Sequence, residues 1–128
     1  MAIKSVKQLV AEAAAETEQL SPAAAVSLIG DPGVLFVDVR EQSELDATGR
    51  ISGSLHVPRG LLESKTDPES PTHDPALSSG KRLVTYCASG ARAALAAKTL
   101  ADMGIAQVAH VHGGGFEALR AAGAATMP

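Results

Sequence analysis

The chain has 128 residues, a length that fits one domain with a single core. Apolar residues make up 45% and charged residues 20%, which is ordinary for a globular protein and argues against a mainly disordered chain. The formal net charge is −3, and the sequence has neither a polybasic run nor about 18 consecutive apolar residues. A nucleic-acid-binding protein and a membrane protein are therefore not expected.

The N-terminal segment predicts an amphipathic helix. Apolar side chains recur at helical spacing from Ile3 to Ala14, with charged residues on the opposite side, so residues 3–18 are expected to form the helix. Such a helix buries its apolar face on its own domain or against a dimer or partner surface, and packing on the domain is the expectation here. We divide the chain into this helical extension, residues 1–19, and a main domain, residues 20–128.

Helices and strands then alternate to the end of the chain. Capping residues and alanine-rich or periodic segments predict helices at 22–29, within 40–49, at 90–104 and at 116–123. Apolar and β-branched runs predict strands at 34–39, 54–58, 82–86 and 107–111. This alternation is typical of βα units. It predicts an α/β fold with a mostly parallel sheet that is covered by helices on both faces.

One segment of the chain predicts neither a helix nor a strand. Residues 63–81 contain Pro68, Pro71 and Pro75 together with many turn-forming residues, so we expect a long loop there. Loops of more than about 15 residues are usually either functional or disordered. The sequence gives this predicted loop no specific role.

The only cysteine, Cys87, directly follows the predicted strand 82–86. Ligands of parallel α/β sheets bind beyond the carboxyl ends of the strands, so this thiol is expected at the functional edge of the sheet. A single cysteine forms no internal disulfide, which suits a reducing compartment and predicts a cytoplasmic location. Taken alone, a cysteine at a strand end is more often a small buried apolar residue than a nucleophile.

The residues after Cys87 favour the reactive interpretation. They are small enough for their backbone N–H groups to turn toward one centre, as in an anion-binding loop. This loop leads into a helix N-terminus, whose dipole is positive there, and it contains a guanidinium. Both features stabilise the thiolate over the thiol. We therefore predict a nucleophilic cysteine whose loop binds an anionic substrate or intermediate, the loop residues being Ala88, Ser89, Gly90, Ala91 and Arg92.

Three segments, in this order, resemble the single-domain rhodanese (thiosulfate sulfurtransferase-like) family over residues 20–123. They are VDVREQSELDATGRISGSLHVPRG, VTYCASGARAALAAKTLADMG and VAHVHGGGFEAL. The resemblance implies a rhodanese-like fold with about five mostly parallel strands and a catalytic cysteine at the start of an active-site loop. By that match Cys87 is catalytic, and residues 88–92 complete the loop.

The resemblance also implies a reaction. The cysteine of the family takes a sulfane sulfur from a donor such as thiosulfate, becomes a persulfide, and passes the sulfur to cyanide or a biological thiol. A sulfur-accepting protein is a further acceptor, no metal or organic cofactor is implied, and we expect a monomer or homodimer. Because a persulfide is anionic near neutral pH, a ring of backbone N–H groups can hold its outer sulfur without a general base.

Other polar residues are given roles by their positions. Asp38 and Arg40 resemble family positions that form an ion pair at the sheet edge, so we expect them to be structural. Arg59 follows a predicted strand end and is expected to contact the substrate anion. The family often has basic residues just after its cysteine; here Ala88 and Ser89 stand there, which leaves Arg92 as the fixed charge of the loop.

The four histidines have no spacing typical of a zinc site, and no metal site is predicted. His73 lies in the predicted long loop and is expected to be solvated. His110 and His112, on a predicted strand and before a glycine run, are expected to be structural.

Two other classes of function remain open. Phosphatases and arsenate reductases enclose a tetrahedral oxyanion with a loop of cysteine, five residues and arginine, whereas only four residues separate Cys87 from Arg92. The smaller ring is better suited to a single sulfur atom than to a phosphoryl group. The other alternative is a non-catalytic or redox-sensing rhodanese-like module that binds a partner.

Overall fold

The computed structural model describes residues 2–128 and has an α/β fold. The main sheet contains β1 (Glu18–Leu20), β2 (Val34–Asp38), β4 (Leu55–His56), β5 (Arg82–Tyr86) and β6 (Val108–Val111). Its order is β1-β6-β5-β2-β4, and every neighbouring pair is parallel. The predicted α/β fold with a five-stranded parallel sheet is therefore confirmed. A second, antiparallel pair joins β3 (Arg50–Ile51) to β7 (Thr126–Met127).

Helices cover both faces of the main sheet. One face carries α1 (Val6–Glu16), α4 (Leu62–Thr66) and α5 (Ala91–Asp102), with α1 and α4 packed on α5 and α5 packed on β5 and β6. The other face carries α2 (Pro22–Val26) and α6 (Phe116–Ala121), which pack on each other. A further helix, α3 (Gln42–Thr48), follows β2.

The alternation of side chains along β5 decides which way the cysteine faces. Leu83 and Cys87 belong to the apolar cluster on the α5 face, whereas Val84 and Tyr86 belong to the cluster on the α6 face. Successive side chains of a strand point to opposite faces, so the thiol is directed to the α5 side of the sheet. The Tyr86 hydroxyl accepts a hydrogen bond from the Ile51 amide at 3.0 Å, which joins β5 to β3.

The N-terminal segment is part of the sheet. Helix α1 is shorter than the predicted 3–18: Ser5 caps it by accepting from the Gln8 amide, and Ile3 lies before it with 93% exposure. The strand β1 has no apolar pattern, and the sequence did not predict it. The predicted division between residues 19 and 20 falls inside this strand.

The segment 63–81 is only partly the predicted long loop, because residues 67–74 and 79–81 are irregular and the rest is helical. Its first residues belong to α4, and a 3₁₀ turn spans Pro75–Ser78. The turn carries Leu77 into the core with 2% exposure, and this apolar anchor fixes the segment. His73 is half-buried rather than solvated, and its Nδ1 lies 3.0 Å from the Lys65 carbonyl.

Within residues 2–128, no helix has the length and apolar character needed to cross a membrane.

Candidate active site

The loop after β5 holds the Cys87 sulfur against its own backbone. Cys87 is 1% exposed, and its Sγ accepts a hydrogen bond from the Gly90 amide at 3.0 Å. Gly90 has a φ of +117°, a conformation that side chains strongly disfavour, so glycine permits the turn that brings this N–H back to the sulfur. The predicted loop 88–92 is shorter in the structure, because Ala91 and Arg92 already belong to the first turn of α5.

Helix α5 begins directly after this turn and adds positive potential. It is 12 residues long, and its N-terminus carries about half an elementary charge. The Thr85 hydroxyl donates to the Ala93 carbonyl at 2.8 Å and thereby fastens the first turn of α5 to β5. Strand, loop and helix are thus joined by hydrogen bonds around the sulfur, which lies beside the N-terminus of α5.

The glycine run at 113–115 brings the start of α6 against the backbone of the Cys87 loop. A Cβ at Gly115 would lie 2.1 Å from the Cys87 carbonyl oxygen and 2.5 Å from that of Ala88. The next amide, that of Phe116, donates to the Cys87 carbonyl at 2.8 Å. Only a residue without a side chain allows α6 to start this close to Cys87. The sequence analysis did not assign this role, although a triple glycine after a strand was visible.

Arg92 is held by a carboxylate that the sequence analysis missed. Its two terminal nitrogens donate to the two oxygens of Glu44 on α3, at 2.6 and 3.0 Å. The hydrogen bond from Arg92 lowers the pKa of Glu44 from 4.5 to about 2, although partial burial opposes the shift. The same partner raises the pKa of Arg92. The positive charge that was expected to face an anionic substrate is therefore compensated within the protein.

Asp38 and Arg40 form a buried ion pair at the end of β2. Their nearest charged atoms are 2.9 Å apart, and the two residues are 0% and 2% exposed. The guanidinium also donates to the Thr48 hydroxyl at 2.9 Å and to the Gly49 carbonyl at 2.8 Å. It lies 4.3 Å from the centre of the Phe116 ring, which adds a cation–π contact. The arrangement fixes α3 and α6 beside the loop.

Arg59 is not brought to the Cys87 loop. Its guanidinium donates to Glu63 at 3.0 Å and to the Thr99 hydroxyl at 2.8 Å. Thr99 is nine residues beyond Gly90 along α5, which corresponds to roughly 13 Å of helix. Arg59 was expected to contact the substrate anion. Its two polar partners instead hold the guanidinium beside the C-terminal half of α5.

Two cavities border the loop. The first, called here the Phe116 cavity, has a volume of about 230 Å³; its wall contains Ala47, Thr48, Ala88 and Phe116, and is completed by the charged Arg40, Glu44 and Glu117. The second, called here the α1 cavity, has about 350 Å³ and lies between α1 and the loop; its wall includes Val10, Ser89, Gly90, Ala91 and His112. Each cavity therefore shares residues with the loop that holds the sulfur.

The two histidines of the β6 end differ from each other. His110 is fully buried, whereas His112 is exposed and lines the α1 cavity, although both were expected to be structural. Across the described part of the chain, no group of three or more His, Cys, Asp or Glu side chains is arranged to hold a metal ion.

The comparison with protein families matches the Rhodanese-like domain over residues 21–122. The chain belongs to the rhodanese-like family. The match covers most of the chain, including β2, the Cys87 loop and α6. Among curated proteins, none matches it significantly.

Solved structures extend this comparison. A protein of unknown function from Rhodopseudomonas palustris, described as a possible tyrosine phosphatase, is 41% identical, with a TM-score of 0.93 and 99% and 97% of the two chains covered. The polysulfide-sulfur transferase homodimer of Wolinella succinogenes is 31% identical, with a TM-score of 0.70 and coverage of 94% and 85%. A human single-domain sulfurtransferase, 24% identical, shares the fold with a TM-score of 0.62 and coverage of 80% and 95%.

Proposed function

We propose that this rhodanese-like protein is a sulfurtransferase that carries a sulfane sulfur as a persulfide on Cys87. The observation that carries the proposal is the hydrogen bond from the Gly90 amide to Cys87 Sγ, made at the N-terminus of α5. An N–H group that is already directed at the sulfur, together with the positive end of a helix, favours the thiolate before transfer and a persulfide after it. The likeness to the Wolinella sulfur transferase, 31% identical, supports the same chemistry.

The proposed reaction has two displacement steps. The Cys87 thiolate attacks the outer sulfur of a donor, the sulfur–sulfur bond of the donor breaks, and the remainder leaves with the electron pair. An acceptor thiolate or cyanide then attacks the outer sulfur of the persulfide and regenerates the Cys87 thiolate. No net oxidation and no cofactor are needed. The partners are therefore a sulfur donor and a thiol or cyanide acceptor, which can belong to a protein.

A cysteine-dependent phosphatase is the second candidate, because the 41% identical Rhodopseudomonas protein is described as a possible tyrosine phosphatase. Two features argue against it in this chain. Four residues separate Cys87 from Arg92, and the guanidinium that would bind a phosphoryl group is engaged by both oxygens of Glu44. The loop is thus better suited to one sulfur atom than to a tetrahedral dianion.

One experiment separates these functions from each other and from a non-catalytic binding module. The protein is incubated with a sulfane donor, and its intact mass is measured before and after reduction. A sulfurtransferase gains one sulfur atom that a thiol removes, and Cys87→Ser gains none. Cys87-dependent hydrolysis of an aryl phosphate without any sulfur gain would establish the phosphatase instead. Absence of both reactions would leave the binding module.

A further inference from the structure

Transfer of the sulfur to a thiol acceptor requires that the acceptor lose a proton. The thiolate is the nucleophile in such exchanges, and the thiol R–SH itself reacts poorly. Arg92 and Arg40, the guanidinium groups beside the Cys87 loop, are bound by Glu44 and Asp38, and a guanidinium does not accept a proton. A thiol acceptor therefore needs another group on the Cys87 side of the sheet to take its proton.

His112 lies on the same face of the sheet as the thiol. Strands β5 and β6 pair in parallel with Thr85 opposite His110, so the same register, continued by two residues, sets Cys87 beside His112. Neighbouring strands are roughly 4.8 Å apart, and residues two apart in a strand share a face. Cys87 belongs to the cluster on the α5 side, and His112 lines the α1 cavity together with Ala94 of α5. Both side chains thus project toward α5.

The backbone around His112 touches the turn that holds the sulfur. A Cβ at Gly90 would lie 3.7 Å from the Val111 carbonyl oxygen and 3.6 Å from that of Gly114. The Gly90 amide is itself 3.0 Å from the sulfur. His112 lies between those two carbonyls in the chain, and its amide donates to the Leu20 carbonyl at 2.8 Å, which fixes its backbone. The segment that carries the imidazole is therefore anchored directly against the Cys87 loop.

The imidazole of His112 is available to a substrate. The rings of His56, His73 and His110 each make a hydrogen bond within the protein. By contrast, the His112 side chain is exposed, and within residues 2–128 neither of its ring nitrogens has a hydrogen-bond partner. Histidine is the side chain that most often transfers protons in enzymes. An imidazole without an internal partner is thus free to accept a proton from a bound thiol.

The α1 cavity gives such a thiol a place to bind. Its volume of about 350 Å³ lies within the roughly 300–1,000 Å³ typical of small-molecule sites. The imidazole of His112 and the hydroxyl of Ser89 are the polar side chains of its wall. The other wall residues are small or apolar, which suits the carbon chain of a thiol; they are Val10, Ala14, Gly90, Ala91, Ala94 and Gly113.

The titratable and charged groups around this imidazole come from three elements. On β6, the buried His110 ring lies 6.0 Å away between centroids. On β5, Cys87 stands at the adjacent strand position. On α1, Lys7 lies one turn before Val10 on the same helix face. None of these groups is a carboxylate, so none would pair with the imidazolium that proton transfer creates.

We propose that the α1 cavity receives the thiol acceptor and that His112 is a catalytic residue that takes the proton of this thiol. The inference rests on the proposed sulfurtransferase function. A ring nitrogen of His112 takes the proton of R–SH, and the thiolate attacks the outer sulfur of the persulfide. The bond between that sulfur and Cys87 Sγ breaks, and its electron pair stays on the Cys87 thiolate. R–S–S⁻ leaves, and the imidazolium releases its proton to the solvent. Charge and electrons balance without an oxidant or a reductant.

Two acceptors of similar shape test the proton transfer: ethanethiol and 2,2,2-trifluoroethanethiol, which is much the more acidic. The protein is loaded with one sulfur by thiosulfate or polysulfide and freed of the donor, and loss of the sulfur from Cys87 in a single turnover at pH 8 is followed by intact mass. We expect His112→Gln to lower the ethanethiol rate at least tenfold, since a general base contributes roughly 10²–10⁴-fold. The trifluoroethanethiol rate should fall less than about threefold, because that thiol ionises without help.

Two further measurements separate proton transfer from a structural role and locate the acceptor. Imidazole added to His112→Ala is expected to raise the ethanethiol rate in proportion to its concentration, which a structural role would not produce. Val10→Phe narrows the α1 cavity and is expected to lower the rates of both thiols at least fivefold. Leu9→Phe is the matched control, since Leu9 is the neighbouring position on α1, lies outside the cavity wall and is 43% exposed. It should change either rate less than about twofold.

The outcomes distinguish this inference from the function beneath it. If no donor places a reducible sulfur on Cys87, the sulfurtransferase proposal fails. If the sulfur is loaded but His112→Gln transfers it to ethanethiol at the native rate, or slows both thiols equally without rescue of His112→Ala by imidazole, the inference is overturned while the function stands. Native rates in folded Val10→Phe overturn the α1 cavity as the acceptor site. If Val10→Phe does not fold, the imidazole series in His112→Ala decides.

Discussion

At the scale of single residues, Gly115 determines how closely α6 approaches Cys87. The Cβ of any other residue would lie within 2.6 Å of three backbone atoms, which are the Cys87 carbonyl oxygen and the carbonyl carbon and oxygen of Ala88. These atoms belong to the loop that holds the sulfur, so they cannot move without disturbing it. The contact between Phe116 and the Cys87 carbonyl depends on the same approach.

We therefore predict that Gly115→Ala destabilises the protein by about 2–3 kcal/mol, because backbone atoms must shift to relieve the overlap. Sulfur transfer from a sulfane donor to Cys87 is expected to fall more than tenfold even where the variant is folded. Urea unfolding and single-turnover persulfide formation measure the two effects. Gly60→Ala is the matched control, since a Cβ there meets no atom within 4 Å. Equal behaviour of the two variants would contradict the role of Gly115.

His110 is a second residue whose surroundings have a measurable consequence. The Thr17 hydroxyl donates to the Ala13 carbonyl at 2.7 Å, so it accepts from the imidazole Nδ1, 2.9 Å away. The neutral ring therefore carries its hydrogen on Nδ1, and its buried Nε2 has no partner within the described residues. Burial and the neighbouring His112 ring, 6.0 Å away between centroids, lower the pKa of His110 below 6.5.

This lowered pKa predicts a loss of stability in mild acid. Below pH 6.5 the unfolded chain binds a proton at His110 that the folded chain resists, so the free energy of unfolding falls as the pH decreases. We expect the stability difference between pH 7 and pH 5 to be smaller in His110→Gln than in the native chain. Urea unfolding at both pH values measures it, and an unchanged difference would mean that another group accounts for the acid sensitivity.

Sequence reasoning predicted the loop around Cys87 but not the residues that support it, and the reason is distance along the chain. Cys87, the small loop and α5 are consecutive, so a strand–loop–helix pattern is enough to bring them together. Glu44 is 48 residues from Arg92, and its role depends on how α3 packs beside α5. Only the folded structure shows that the charge of the loop is compensated.

At the scale of elements, the pair of Glu44 and Arg92 fastens α3 to the first turn of α5. Glu44 also accepts from the Glu41 amide at 3.0 Å as part of a capping box at the start of α3. The Glu44 carboxylate thus helps to cap the N-terminus of α3 and also binds Arg92 in the first turn of α5. Its bidentate geometry is the form of ion pair that contributes most at a partly exposed site.

We predict that Glu44→Gln lowers the free energy of unfolding at pH 7 by about 1 kcal/mol, a value reduced for solvent screening. The pKa of Glu44 is about 2 in the folded chain, whereas an unperturbed glutamate, as in the unfolded chain, has a pKa of 4.5. The ion pair therefore stabilises the fold fully above pH 4.5, and this stabilisation is lost as the pH falls toward 2. The difference from the native chain should therefore be smaller at pH 3 than at pH 7. Glu63→Gln removes a more exposed pair and is expected to cost less than 0.5 kcal/mol.

Some strands could be predicted from the sequence, whereas others could not. Strands β2, β5 and β6 are buried apolar runs, and such runs have few alternatives to a central strand. By contrast, β1 consists of Glu18, Gln19 and Leu20, and its assignment as a strand comes only from pairing with β6. The two-residue strands β3 and β7 likewise exist because distant segments meet, which local propensity does not encode.

At the scale of the whole molecule, the N-terminal segment completes both the sheet and one helical layer. Strand β1 pairs with β6 from Glu18 to Leu20, and the Leu20 carbonyl accepts from the His112 amide at 2.8 Å. Ala13 and Ala14 of α1 pack against Ala94 of α5 in a small apolar cluster. Alanine faces allow the two helices to approach closely, and α5 is the helix that begins at the Cys87 loop.

We therefore predict that residues 1–19 fold as one cooperative unit with the rest of the chain. Deleting them exposes the open edge of β6 and the Ala94 face of α5, so the free energy of unfolding should fall by several kcal/mol. Native-state hydrogen exchange of the β6 amides and urea unfolding followed by circular dichroism measure this loss. Deleting only residues 1–3, which precede the helix, is the control and should change stability by less than about 0.5 kcal/mol. If the longer deletion unfolds at the same urea concentration as the intact chain, the segment is an appendage and the sheet is stable without β1.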